Sequence, residues 1–135
     1  MKIPDEVKSF IEEGRLAYVA TTDKLGIPNV VPKGTIAVLD DEHLIFADLF
    51  AGKTRRNLEE NPVISIAIVN QAAYRGYQLK GRAQLISRGP FFDDVKKRIE
   101  GGQLKYPQAK YAVKIKVERI YDISLGANSG REITG

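Results

Sequence analysis

The stretch HLIFADLFAGKTRRNLEENPVISI, residues 43–66, decides the fold. A strand-like run ends at Asp48, a short connection leads to Gly52-Lys53-Thr54, a brief helix over 53–60 stops at Asn61-Pro62, and a second apolar run begins. Gly52 lets a ligand approach the backbone, Lys53 adds a positive charge, Thr54 a hydroxyl, and a helix start adds free N–H groups. Together they make an anion site, most naturally for phosphate. The order of charges supports this reading. Lys53, Arg55 and Arg56 crowd the first turn, while Glu59 and Glu60 close the helix. A helix dipole favours the reverse by about 0.3–1 kcal/mol per charge. The pairs Arg55–Glu59 and Arg56–Glu60 stand at i,i+4 in the weaker orientation. The helix gives up local stability to gather cations at its positive end.

Gly-Lys-Thr also closes the P-loop of nucleotide triphosphatases. Here Ala47 replaces the first glycine of that motif. A P-loop also needs a parallel sheet and a strand ending in a magnesium-organising aspartate. The run 63–69 (VISIAIV) instead leads into Asn70-Gln71, and its neighbours read as hairpins.

Working outward, 4–13 reads as a helix with Val7, Phe10 and Ile11 on one face, Pro4 in its first turn and Gly14 as its stop. Leu16–Thr22 reads as a strand closed by the turn Asp23-Lys24-Leu25-Gly26. Asn29–Val38 and Leu44–Asp48 read as one hairpin turning at Asp40-Asp41-Glu42. Val63–Val69 has the unbroken apolar character of a strand covered on both faces. Gly76–Ile86 and Tyr111–Val117 alternate as half-buried strands. Pro90–Ile99 is a helix with Phe92, Val95 and Ile99 inward and Gly101-Gly102 at its end. The tail from Gly126 reads as loop. Six short strands with three short helices favour an antiparallel barrel over a parallel sheet, as one domain spanning 1–135.

Composition narrows the chemistry. The chain has no cysteine, which removes disulfides, iron–sulfur clusters, thiolate zinc and cysteine nucleophiles. Its single histidine, His43, follows three acids at a turn and reads as solvated. No apolar run approaches the ~18 residues of a membrane span, and the acidic, amphipathic start does not read as a signal peptide, so a cytoplasmic protein without membrane contact is expected. The net charge of +4 is uneven. Residues 1–62 carry 8 basic and 11 acidic side chains, residues 63–135 carry 13 and 6. A basic half suggests an anionic partner, and a barrel that binds nucleic acid through that half without redox activity is the alternative function. The tyrosines do not interleave with the basic residues as an RNA-reading surface would.

NVVPKG (29–34), a hairpin strand, and then 43–66 follow one another in the order and spacing of the FMN-binding split-barrel family, which includes pyridoxamine 5′-phosphate oxidase and small FMN-binding proteins. The opening helix, AYVATT (17–22) with its Asp-x-x-Gly turn, and Gly81-Arg82-Ala83 before a helix also resemble that family, over roughly 1–123. The resemblance implies a six-stranded antiparallel split barrel and a homodimer with FMN at the subunit interface. It implies that Lys53 and Thr54 hold the phosphate, with Gly52 giving backbone access. Val30, Val31, Pro32 and Lys33 would lie along the flavin ring, Lys33 near the edge where reduction leaves negative charge. Ala47 and Asp48 would flank the ribityl chain, and Gln78 would reach the cofactor from the other subunit. The implied partner is a small-molecule or protein redox partner, and nucleic acid is disfavoured. The chain departs from true pyridoxamine phosphate oxidases at its C-terminus. Arg131 is present but no histidine follows residue 43, so FMN binding is better supported than oxidation of the vitamin. Residues 125–135, rich in glycine, are expected to be flexible and to lie over the flavin, with Arg131 contacting an anionic ligand.

Overall fold

The computed structural model describes residues 1–13, 16–34, 36–48, 52–100 and 110–133, without the side chains of 98–100. The expected stop at Gly14, the inward side chain of Ile99 and the Gly101-Gly102 helix end lie outside the described residues. Three helices and eight strands follow in order: α1 (Asp5–Glu12), β1 (Ala17–Thr22), β2 (Pro28–Lys33), β3 (Ala37–Val38), β4 (His43–Asp48), α2 (Lys53–Glu60), β5 (Val63–Asn70), β6 (Arg75–Ile86), α3 (Pro90–Glu100), β7 (Tyr111–Asp122) and β8 (Arg131–Ile133).

The strands form one antiparallel sheet in the order β2-β1-β5-β6-β7-β4-β3, with β8 added to β7. The sheet curls into a split barrel. Its strand count is eight among the described residues, not six. The expected long strand Asn29–Val38 is broken: β2 pairs with β1, and only the short β3 pairs with β4. Gly34 lies at the break, where the chain leaves one edge of the sheet for the other. The tail is also more ordered than its glycines suggest. Gly126 and Gly130 take φ of 136° and 84°, turning the chain back so that Arg131–Ile133 pairs with Ile120–Asp122.

Strand alternation builds the core. Val19, Ile66 and Leu79 lie side by side on adjacent strands with their side chains inside. Leu44 and Phe46 meet Ile115 and Val113 across β4 and β7. From α1, Val7, Phe10 and Ile11 pack inward as expected, and Phe10 meets Tyr77 edge-on at 5.1 Å between ring centroids. Fully burying such a side chain stabilises by about 1.5–3 kcal/mol.

The run 63–69 departs from its expectation. Ile64, Ile66 and Ile68 are buried, but Val63 and Val69 on the other face are exposed. With Tyr18 and Val30 they form an apolar outer surface on β2, β1 and β5 that the described residues leave exposed. Among the described residues no helix is long and apolar enough to cross a membrane.

Candidate functional site

The start of α2 gathers backbone donors and positive charge. Gly52 caps it without a side-chain hydrogen bond, and no acid lies in the first turn. The first bond of the helical ladder runs from the Arg56 N–H to the Gly52 carbonyl at 3.3 Å, so the N–H groups of Lys53, Thr54 and Arg55 precede the ladder. A Cβ at Gly52 would meet no atom within 4 Å, so space is open beside these donors.

Lys53 is half exposed, its Nζ 3.9 Å from Asp23 Oδ2. Asp23 Oδ1 accepts the N–H groups of Ile27 and Leu25 at 3.0 and 2.9 Å. The Ile27 bond foremost holds the Asp23 carboxyl below its ordinary range, and Lys53 adds to this. Thr54 is buried. Arg55 pairs with Glu59 at 2.8 Å, as the spacing predicts, while its buried Nε has no hydrogen-bond partner among the described residues. The expected Arg56–Glu60 pair does not form within 4.0 Å among the described residues; Glu60 instead accepts the Lys24 N–H at 3.1 Å. Asn57, fully buried, donates to Thr21 Oγ1 at 3.0 Å and ties α2 to β1.

A second polar group sits inside the barrel. Lys33 Nζ lies 3.4 Å from Asp48 Oδ1, and Tyr111 OH donates to Asp48 Oδ2 at 2.6 Å. Asp48 is 1% exposed. The Lys33–Asp48 contact joins β2 to β4 across the split, and Lys33 also lies 5.8 Å from the centre of the Phe46 ring. Burial, and then the Asp48 carboxylate, push the Tyr111 phenol far above its ordinary value. The sequence reading missed Tyr111. Its role depends on the register that sets it opposite Asp48, which no local signal carries.

The other candidates divide by strand parity. Val30 and Pro32 face outward on β2, while Val31 and Lys33 face inward. Those four residues therefore do not share one surface. Ala47 is buried on β4 and stands opposite Ala112. Gln78 faces outward on β6, between Ala67 and Tyr121. It lines a groove of about 390 Å³ on the outer face with Ala20, Pro28, Val63 and Lys80. A larger cleft of about 570 Å³ lies where α1 meets the β7–β8 turn, lined by Glu6, Arg75, Tyr77, Asn128 and Arg131 among others. None of the ten candidate residues lines that cleft. Among the described residues no group of three or more His, Asp or Glu side chains is disposed to hold a metal ion.

Residues 3–124 match the pyridoxamine 5′-phosphate oxidase family. The chain belongs to that family. A protein of Methanocaldococcus jannaschii, MJ0282, described as uncharacterized, is 32% identical over 98% of this chain and 89% of its own length. The crystal structure of HupZ from Group A Streptococcus is 37% identical, with a TM-score of 0.82, over 95% of this chain and 99% of that one. At lower identity the likeness is one of fold. An FMN-binding protein from Syntrophomonas wolfei is 22% identical with a TM-score of 0.77, over 89% and 85% of the two chains. HutZ, a heme storage protein from Vibrio cholerae, is 21% identical with a TM-score of 0.67, over 90% and 94%. The pyridoxamine 5′-phosphate oxidase fold thus has both FMN-binding and heme-storing neighbours of this chain.

Proposed function

We propose that this chain is an FMN-binding homodimeric flavoprotein, an oxidoreductase or electron carrier, with each cofactor at the subunit interface. The observation that carries the reading is the start of α2, where uncapped N–H groups, open space at Gly52 and the half-exposed Lys53 come together. A phosphate monoester fits that donor set, since helix N-termini and ammonium groups both favour its charge. Lys53 and the N–H groups of Thr54 and Arg55 would hold it.

Bound FMN would supply the electron-transfer chemistry, and the protein its binding, orientation and electrostatics. Val30 and Pro32 offer apolar surface for the ring, and Gln78 on the second copy would meet it from the other side. Asp48, fixed by Tyr111, neutralises Lys33 inside the barrel. The uncovered apolar surface around Tyr18, Val30 and Val63 favours a two-fold partner that buries it. A stable interface of this kind removes about 1,200 Å² or more from water.

Lys53→Ala tests the phosphate assignment. The substituted protein is expected to bind FMN about 10- to 100-fold more weakly, as loss of a charge-assisted contact worth about 1.5–3 kcal/mol requires. Riboflavin, which lacks the phosphate, should bind both proteins alike. Equal weakening for both flavins would remove Lys53 from the phosphate site. Heme is tested in parallel by titrating hemin. Flavin uptake is expected, and a Soret band without flavin uptake would contradict the reading.

A further inference from the structure

We propose that the outer face of β6 and β7 binds the phosphate backbone of single-stranded nucleic acid, at a surface separate from the start of α2. Cross-strand register sets Lys80 directly opposite Arg119, and Arg82 directly opposite Lys116. Lys114 follows one row further, opposite Gln84. Like charges facing each other across a ladder destabilise a sheet.

Compensation on this face is thin. Arg82 has Glu118 at 3.5 Å, and Arg119 has Glu132 at 3.9 Å. Lys80, Lys114 and Lys116 have no carboxylate within 4.0 Å among the described residues. A polyanion laid along the strands would relieve the repulsion.

Spacing and aromatic content favour nucleic acid over other polyanions. Rows of outward residues recur about every 7 Å along a strand. That is close to the separation of successive phosphates in an extended single strand. Half-buried rings stand at both ends of the ladder. Lys80 Nζ lies 5.2 Å from the centre of the Tyr121 ring, and Lys114 Nζ lies 5.8 Å from that of Phe91. Single-strand binders combine such cations with rings on which bases stack. In the sequence these aromatics do not interleave with the cations; strand pairing and the packing of α3 on β7 bring them together.

The test uses the flavin-loaded protein and a fluorescein-labelled oligothymidylate, read by anisotropy between about 50 and 200 mM salt. Binding is expected, with a log–log salt slope of about −3.5 for the five cations, at about −0.7 per phosphate. The double substitution Arg82→Gln, Lys116→Gln should reduce the slope by about 1.4. The same protein should keep its flavin affinity and melt close to the original, because removing the repulsive Arg82–Lys116 pair offsets the loss of the exposed Arg82–Glu118 contact. No binding at 50 mM salt would overturn the proposal, as would an unchanged slope in the double variant. So would polyglutamate binding as tightly as the oligonucleotide, which would assign the face to an acidic protein. Lys80 borders the groove that Gln78 and Val63 line, whereas Arg82 and Lys116, which carry the comparison, do not line it, so the change in slope does not depend on what occupies the start of α2.

Discussion

Asp48→Ala is expected to cost about 3–5 kcal/mol of folding stability, the range for removing one partner of a buried ion pair. Two groups lose their partner at once. The Lys33 ammonium, on a side chain only 16% exposed, loses the carboxylate 3.4 Å away. The buried Tyr111 hydroxyl loses the acceptor 2.6 Å away. The contact that joins β2 to β4 across the split goes with them. Urea denaturation of three proteins measures the effect. The double substitution Lys33→Met, Asp48→Asn should recover much of the loss, because it removes the unpaired charge and keeps a polar partner for Tyr111. A loss below about 1 kcal/mol in Asp48→Ala would mean that water already solvates the pair.

Gly81→Ala should cost about 3 kcal/mol, the upper end for forcing extra atoms into a packed site. A Cβ at position 81 would stand 2.0 Å from the Lys116 carbonyl oxygen and 3.2 Å from Val117 Cα. Both are backbone atoms of the neighbouring strand, so no side-chain rotation relieves the contact. The pairing of β6 with β7 shifts register between Lys80 and Gly81. That bulge keeps Val117 and Ile120 both buried while Glu118 and Arg119 both face solvent. Gly76→Ala is the comparison. Its obstacles are the exposed Val69 side chain at 2.7 Å and the Ile68 carbonyl oxygen at 3.0 Å, a far milder backbone contact than the 2.0 Å at position 81, so a smaller loss is expected. Equal midpoints for Gly81→Ala and the original protein in denaturant would show that the strands part without cost.

Local periodicity carried α1, β1, β4, α2 and β6 into the sequence reading with ends close to those observed. It also singled out the cationic start of α2, because both the Gly-Lys-Thr run and the inverted charge order are local. What it could not supply was pairing. Asn29–Val38 looks like one strand because Ile36, Ala37 and Val38 continue the apolar run past Gly34, yet the chain changes partners there. The tail looks like loop because its glycines give no period, and only β7 makes Arg131–Ile133 a strand. Residues 111–117 alternate cleanly, but β7 runs on to Asp122 because the bulge resets the alternation. Val30 to Lys33 read as one binding surface until strand parity divides them. Val63–Val69 looks covered on both sides because its apolar residues do not alternate with polar ones, yet only Ile64, Ile66 and Ile68 face the core, and Val63 and Val69 are exposed.

Sedimentation velocity of the protein mixed with FMN, followed at the flavin's own absorbance, joins cofactor and assembly in one observation. At micromolar protein the flavin should travel with a particle of two chains, at one FMN per chain. Flavin that stays at the meniscus, or travels with a single chain, would contradict the shared interface site.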